Sequence, residues 1–205
     1  MIGLEDQRPR IPLLDVEDMN AEQRRLHDAV VSGPRGQMIG PLRAAIHSPE
    51  LASAWSALGE FLRYRTCLPP RLNELAIIVT GRRWTAQVEW WVHARAAIAA
   101  GLQQETVDAI AVLESPVFDD DAAFEVYEFT RALQQTGRVP ADTYAAVLSR
   151  WGARGVVELT AVIGYYTMVA QTLNAHQLPL PEGATGLAPA AILVALPPGR
   201  RGSAS

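Results

Sequence analysis

Two carboxylates and an imidazole sit in an otherwise apolar run, ELAIIVTGRRWTAQVEWWVH, from Glu74 to His93. Glu89 and His93 are four residues apart, so on a helix they share one face. Ala86, three residues before Glu89, falls on that face and leaves room beside the polar groups. Glu74 belongs to the preceding helical stretch, and a hairpin of two helices brings it to the same pocket. Trp84, Trp90 and Trp91 supply apolar walls, which raise a carboxyl pKa by desolvating its charged form. A carboxyl–imidazole set in a dry pocket is equipment for proton transfer. A surface Glu–His pair at the same spacing contributes only about 0.2–0.5 kcal/mol. Spacing alone therefore leaves proton chemistry and a plain helical pair both open.

An acidic substrate needs a cation. Arg43, in GPLRAAIHSP, and Arg83, beside Trp84, are the candidates, because a guanidinium is a planar fork suited to a carboxylate. A structural salt bridge is the competing role for each. His47, four after Arg43, joins the pocket or caps a helix end. Tyr166, with Tyr165 and Asn174, lines the pocket or packs the core. The candidate set is Glu74, Glu89 and His93 for chemistry, with Arg43, His47, Arg83, Trp84, Trp90 and Tyr166 for the substrate. Glu74, Glu89 and His93 could also form a carboxylate-rich metal site, but the motif holds a single histidine. The expectation is no metal and no cofactor.

The elements that must position these groups read as helices. Asn20 caps a helix through about Val31 that ends at Gly33-Pro34. A Gly/Pro-rich loop leads to a short helix from Pro41 and a break at Ser48-Pro49. Leu51, Trp55, Leu58 and Leu62 recur at helical spacing. Pro69-Pro70 suits a helical first turn, and Gly101 suits a left-handed cap. Further helical runs follow through His176, and no strand pattern stands out. Residues 1–183 read as one domain with an extended N-terminal arm. Residues 184–205 read as a tail, either flexible or docked on a partner subunit through AAILVAL. A weak internal echo pairs Glu74…His93 with Glu158…His176, as a duplicated helical unit would.

Composition sets the limits. The chain has 205 residues, 49% apolar and 20% charged, which supports a sizeable core and argues against disorder. A net charge of −4 without a basic run argues against nucleic acid. One cysteine, Cys67, makes an intrachain disulfide impossible and suits a reducing compartment. The N-terminus shows no secretory pattern, so a cytoplasmic location is expected. Gly155–Leu173 is long and apolar but carries Glu158 and Gln171. It reads as a buried core or subunit-interface helix rather than a membrane span.

The quoted stretch resembles the core motif of the carboxymuconolactone decarboxylase/alkylhydroperoxidase-D-like superfamily. That motif is a Glu, a Cys twelve residues on, a second Cys three further and a His four further. Here the positions hold Glu74, Ala86, Glu89 and His93, so the spacing is kept and both cysteines are gone. LPPRLNELAIIVTGRRW and HARAAIAAGLQQETVDAI resemble the runs on either side, and the similarity covers most of residues 10–183. It implies an all-α, alkylhydroperoxidase-D-like helical bundle that assembles as a trimer or hexamer. It also implies that thiol peroxidase chemistry is lost while the proton-handling groups remain. The non-redox branch is named for decarboxylating a lactone acid. The expected function is thus a cofactor-free lyase acting on a small unsaturated or cyclic carboxylic acid or lactone. An isomerase or hydrolase using the same Glu/His pocket, and a non-catalytic oligomeric scaffold, are the alternatives.

Overall fold

The computed structural model describes residues 8–188 and 190–202. A single 3-10 turn, Val16–Asp18, precedes the helices. Helix α1, Ala21–Ser32, begins at Asn20, whose side chain accepts from the amides of Glu22 and Gln23 while Gln23 reaches back in a capping box. The short α2, Leu42–Ala45, leads to α3, Pro49–Tyr64. Then come α4, Pro70–Arg83, and α5, Gln87–Ala99. Helices α6, Gln104–Val112, α7, Asp121–Thr136, and α8, Ala141–Ala175, complete the bundle. Gly152 kinks α8 with φ 65°, ψ −174°, so the helix is two arms around one residue that only glycine adopts readily. The echo does not build a second site. Glu158 and His176 lie at opposite ends of the second arm, and Glu158 is bound instead to Arg154 and the Cys67 amide.

Helix α4 is the axis of the fold. Every residue from Leu72 to Arg82 is buried, and α5, α6, α7 and α8 pack around it. A helix covered on all sides shows no single apolar stripe. Its polar side chains must then find partners inside the protein. Asn73 donates to the Leu62 carbonyl (2.9 Å), and Thr80 to Ala76 (2.9 Å). Arg82 donates to the Ala111 carbonyl (2.9 Å) and to Thr85 Oγ1 (3.1 Å).

Helix α8 is long and apolar enough, by length and composition, to cross a membrane, and 56% of its apolar window is buried within the chain. It packs on α3, α4, α5 and α7.

The C-terminal segment differs from the sequence expectation. Residues 187–188 and 190–202 lie as a strap across the same chain, not loose. Leu187 exchanges hydrogen bonds with Gln87 (2.7 and 3.3 Å). Val194 donates to the Arg83 carbonyl (3.0 Å), Leu196 to Gln135 (2.8 Å) and Gly199 to Glu128 (2.7 Å). Leu187, Val194 and Leu196 are buried, while Ile192 and Leu193 stay exposed. Arg200 and Arg201 pair in parallel with Val117 and Phe118, making the two-residue strands β1 and β2. Side-chain acceptors on α5 and α7 capture strap amides, and composition gives no sign of that.

The α4–α5 turn closes by the bonds of a Schellman motif. Ala86 donates to the Gly81 carbonyl and Thr85 to Arg82 (2.9 and 3.0 Å). The left-handed position is filled by Thr85, φ 46°, which a β-branched residue adopts only under constraint. Its hydroxyl supplies the constraint by donating to the Ala191 carbonyl of the strap (2.7 Å) while accepting from Arg82. Thr85→Val keeps the shape and removes both bonds. It should destabilise the fold by about 1–3 kcal/mol in urea unfolding. A loss below a few tenths would show that the hydroxyl does not hold the turn.

Candidate functional site

The α4–α5 hairpin brings the motif residues together. Glu74 leaves α4 one turn after its proline start, and His93 leaves α5 midway. His93 Nδ1 and Glu74 Oε2 are 2.7 Å apart, both side chains about nine-tenths buried. A carboxylate only accepts, so Nδ1 carries the proton between them and Nε2 is the ring nitrogen left for other partners. Tyr166 of α8 stands edge-on to the imidazole, with ring centroids 4.9 Å apart. Tyr165 and then Trp55 extend the aromatic wall at 5.2 and 6.3 Å.

Glu89 is the exception in this core. It is 2% exposed, and neither carboxyl oxygen has a hydrogen-bond partner. It occupies the third position of α5, from which a glutamate often reaches back to the N-cap amide. That amide, of Ala86, already donates to Gly81. The carboxyl instead lies against the α4 backbone at Gly81, where even a methyl group would sit 3.0 Å from Oε1. Burial pushes the Glu89 carboxyl well above its ordinary range, so it is held neutral. Burial likewise raises the Tyr166 hydroxyl, with the nearby Glu74 and Glu89 adding to the effect and Arg63 opposing it. Tyr166 is thus within electrostatic reach of both carboxyls.

The other candidates are dispersed. Arg83 holds the strap through the Val194 carbonyl. Arg43 lines a separate small cavity with Asp15, His27 and Met38. The His47 ring donates to the Pro12 carbonyl (2.8 Å) and fixes the N-terminal arm. Trp84 caps α4, and its indole donates to Gln134 (3.1 Å). Trp90 is buried on α5. Of the proposed substrate residues, Tyr166 alone is seen against the Glu–His pair.

A separate cleft of about 260 Å³ is lined by Arg35, Arg63, Arg95, Tyr64 and Trp91 among others. Arg35 of its wall lies close to the Tyr165 hydroxyl. Gly59 of α3 permits this approach, since a Cβ there would overlap both the Tyr165 hydroxyl and the Arg35 guanidinium. These arginines escaped the sequence reading because they come from a loop, α3 and the far side of α5. Cys67 lies exposed in the α3–α4 turn, and partial desolvation of its thiol, with Glu158 adding to it, raises its pKa, which disfavours the thiolate. Among the described residues no cluster of three or more His, Cys, Asp or Glu side chains is placed to hold a metal.

A helical bundle built on a polar helix hairpin, with the motif histidine facing its glutamate, defines a class. Residues 49–132 match the carboxymuconolactone decarboxylase family. An uncharacterized peroxidase-related protein from Ralstonia eutropha JMP134, described as an alkylhydroperoxidase AhpD core, superposes with a TM-score of 0.68. It is 12% identical, over 85% of this chain and 93% of its own. A peroxidase-related protein from Silicibacter sp. TM1040 gives 0.64 at 14% identity, over 92% and 96%. A debrominase in complex with 2,3,4-tribromopyrrole gives 0.58 at 13% identity, over 85% and 91%. No curated protein matches the sequence significantly. Residues 49–132 thus carry the match to the carboxymuconolactone decarboxylase family, and the chain has the alkylhydroperoxidase-D-like fold without the motif's paired cysteines. The family is named for a decarboxylase, and a debrominase shares the fold. Identities this low carry the fold and not the reaction.

Glu89 makes a pH-dependent contribution of known sign. Its folded-state pKa lies above the unfolded one, so its contribution is fully present below the ordinary carboxyl value of 4.5 and is lost as pH rises toward the raised value. Glu89→Gln removes that dependence. Wild-type stability minus that of Glu89→Gln should fall with pH above 4.5, by up to about 1.4 kcal/mol per unit. Chemical unfolding of both proteins across pH reads it. A flat difference would place Glu89 in contact with solvent or a partner.

Proposed function

We propose that the chain is a cofactor-free acid–base enzyme, a lyase of the decarboxylating kind, acting on a small unsaturated or cyclic carboxylic acid or lactone. The observation that supports this most is Glu89. A neutral or apolar side chain of similar size would stabilise the same spot better than a carboxyl with neither oxygen bonded. Proteins break such rules chiefly where function requires it. A carboxylic acid kept neutral in a dry pocket is a ready proton donor. His93, oriented by Glu74, is the group that moves protons beside it, and Tyr166 walls the space above the ring.

In this reading the bond from carbon to the substrate carboxylate breaks and CO₂ leaves. The electron pair passes into the unsaturated system, where a donor stabilises the developing oxyanion. A proton from Glu89 returns to carbon, and Glu89 regains one through His93 from solvent. Both Glu89 oxygens are sealed in this conformation, so the Tyr165–Tyr166 wall must part for a substrate to reach them. A small heteroaromatic ring sits in the debrominase of like fold, and molecules of that size suit this proposal. The chain acts as a homo-oligomer, for which Val157 and Met168 on the exposed side of α8 offer apolar surface.

The test is consumption of γ-carboxymuconolactone, followed spectrophotometrically with CO₂ detection. Glu89→Gln and His93→Ala should each lower turnover by about 10²–10⁴-fold, the range for a positioned acid or base. Equal turnover in all three proteins would remove the pocket from the reaction. No turnover by wild type would exclude this substrate and move the assay to other unsaturated acids.

A further inference from the structure

The arginine cleft has no assigned role, and its wall is chemically one-sided. Each charged side chain on it is an arginine: Arg35, Arg63 and Arg95. Among the described residues none of the three makes an ion pair. Two wall residues also carry buried donors without a partner, Arg35 Nε and Trp91 Nε1. Guanidinium and indole N–H groups donate and cannot accept. Such a wall is complementary to a ligand rich in acceptor oxygens and negative charge.

Aromatic faces fix two of the cations. The Arg95 guanidinium lies 4.3 Å from the Trp91 ring centroid, and that of Arg63 lies 5.3 Å from the Tyr64 centroid. Flat groups line the cleft on several sides, which favours a flat ligand. Its volume, about 260 Å³, falls just under the roughly 300–1,000 Å³ of sites for drug-sized molecules, so the ligand is small. Three cations spread over α3, α5 and the loop before α2 exceed what one carboxylate can pair.

We propose that this cleft binds a small planar acid carrying at least two carboxylates, one held by Arg63 and Arg95 and another by Arg35. That the bound acid is the substrate rests on the acid–base reading above; that it binds does not. The nearness of Arg35 to Tyr165 brings one carboxylate toward the tyrosine wall, in which Tyr166 separates Tyr165 from His93.

Isothermal titration calorimetry at low salt tests the proposal with benzene-1,3-dicarboxylate, benzoate and inorganic phosphate as probes. The dicarboxylate should bind at least about tenfold more tightly than benzoate, because it engages a second charge-assisted pair. Arg35→Gln, Arg63→Gln and Arg95→Gln should each weaken it by about tenfold or more, while Arg138→Gln, on the exposed surface away from the cleft, should not. Circular dichroism of each variant shows whether it is folded before its affinity is read. Absence of dicarboxylate binding overturns the proposal, as does binding that the three cleft variants leave unchanged. Phosphate binding as tightly as the dicarboxylate, with the same sensitivity to the arginines, overturns the planar-acid assignment in favour of a general anion site. Binding is measured without turnover, so its failure and that of the lyase reading are separate results.

Discussion

The structure depends on the burial of α4 from Leu72 to Arg82. A helix wrapped on every side has no solvent to satisfy its side chains, so each polar group it carries must find an internal partner. Asn73, Thr80 and Arg82 meet that demand with backbone carbonyls. Glu74 meets it with His93. The imidazole is thereby held in orientation by the same requirement that holds the bundle together. The core and the candidate site share one set of hydrogen bonds.

Glu89 stands against this order. Its neighbour Gly81 gives it space without a donor, and the amide it could have capped is already used. The protein keeps a group that burial renders neutral and no bond rewards. Glu89 follows the α4–α5 turn, one helical turn before His93 on α5, and His93 in turn meets Tyr166 of α8.

Much of the fold was legible because it rests on local rules. Asn20 and the prolines at 69 and 70 mark helix starts wherever they occur, and Gly101 marks an end. The Glu89–His93 spacing placed both groups on α5 because helical geometry is regular, and the motif with Glu74 named the fold. What sequence could not give was long-range. Arg83 and Arg43 resemble Arg63 and Arg95 in composition, yet their roles are set by what the strap and the N-terminal arm place beside them. The strap was illegible for the same reason. Its Pro, Gly and Ala composition describes a loose chain, while its order comes from Gln87, Gln135 and Glu128 far back in the sequence.

The bond between Thr85 and the Ala191 carbonyl spans 106 residues of chain. Contacts of that separation form late, because loop closure must precede them. During synthesis the α4–α5 hairpin therefore exists first with its left-handed threonine unsupported. A chain cut short of residue 191 keeps every motif residue and lacks the acceptor that holds this left-handed turn.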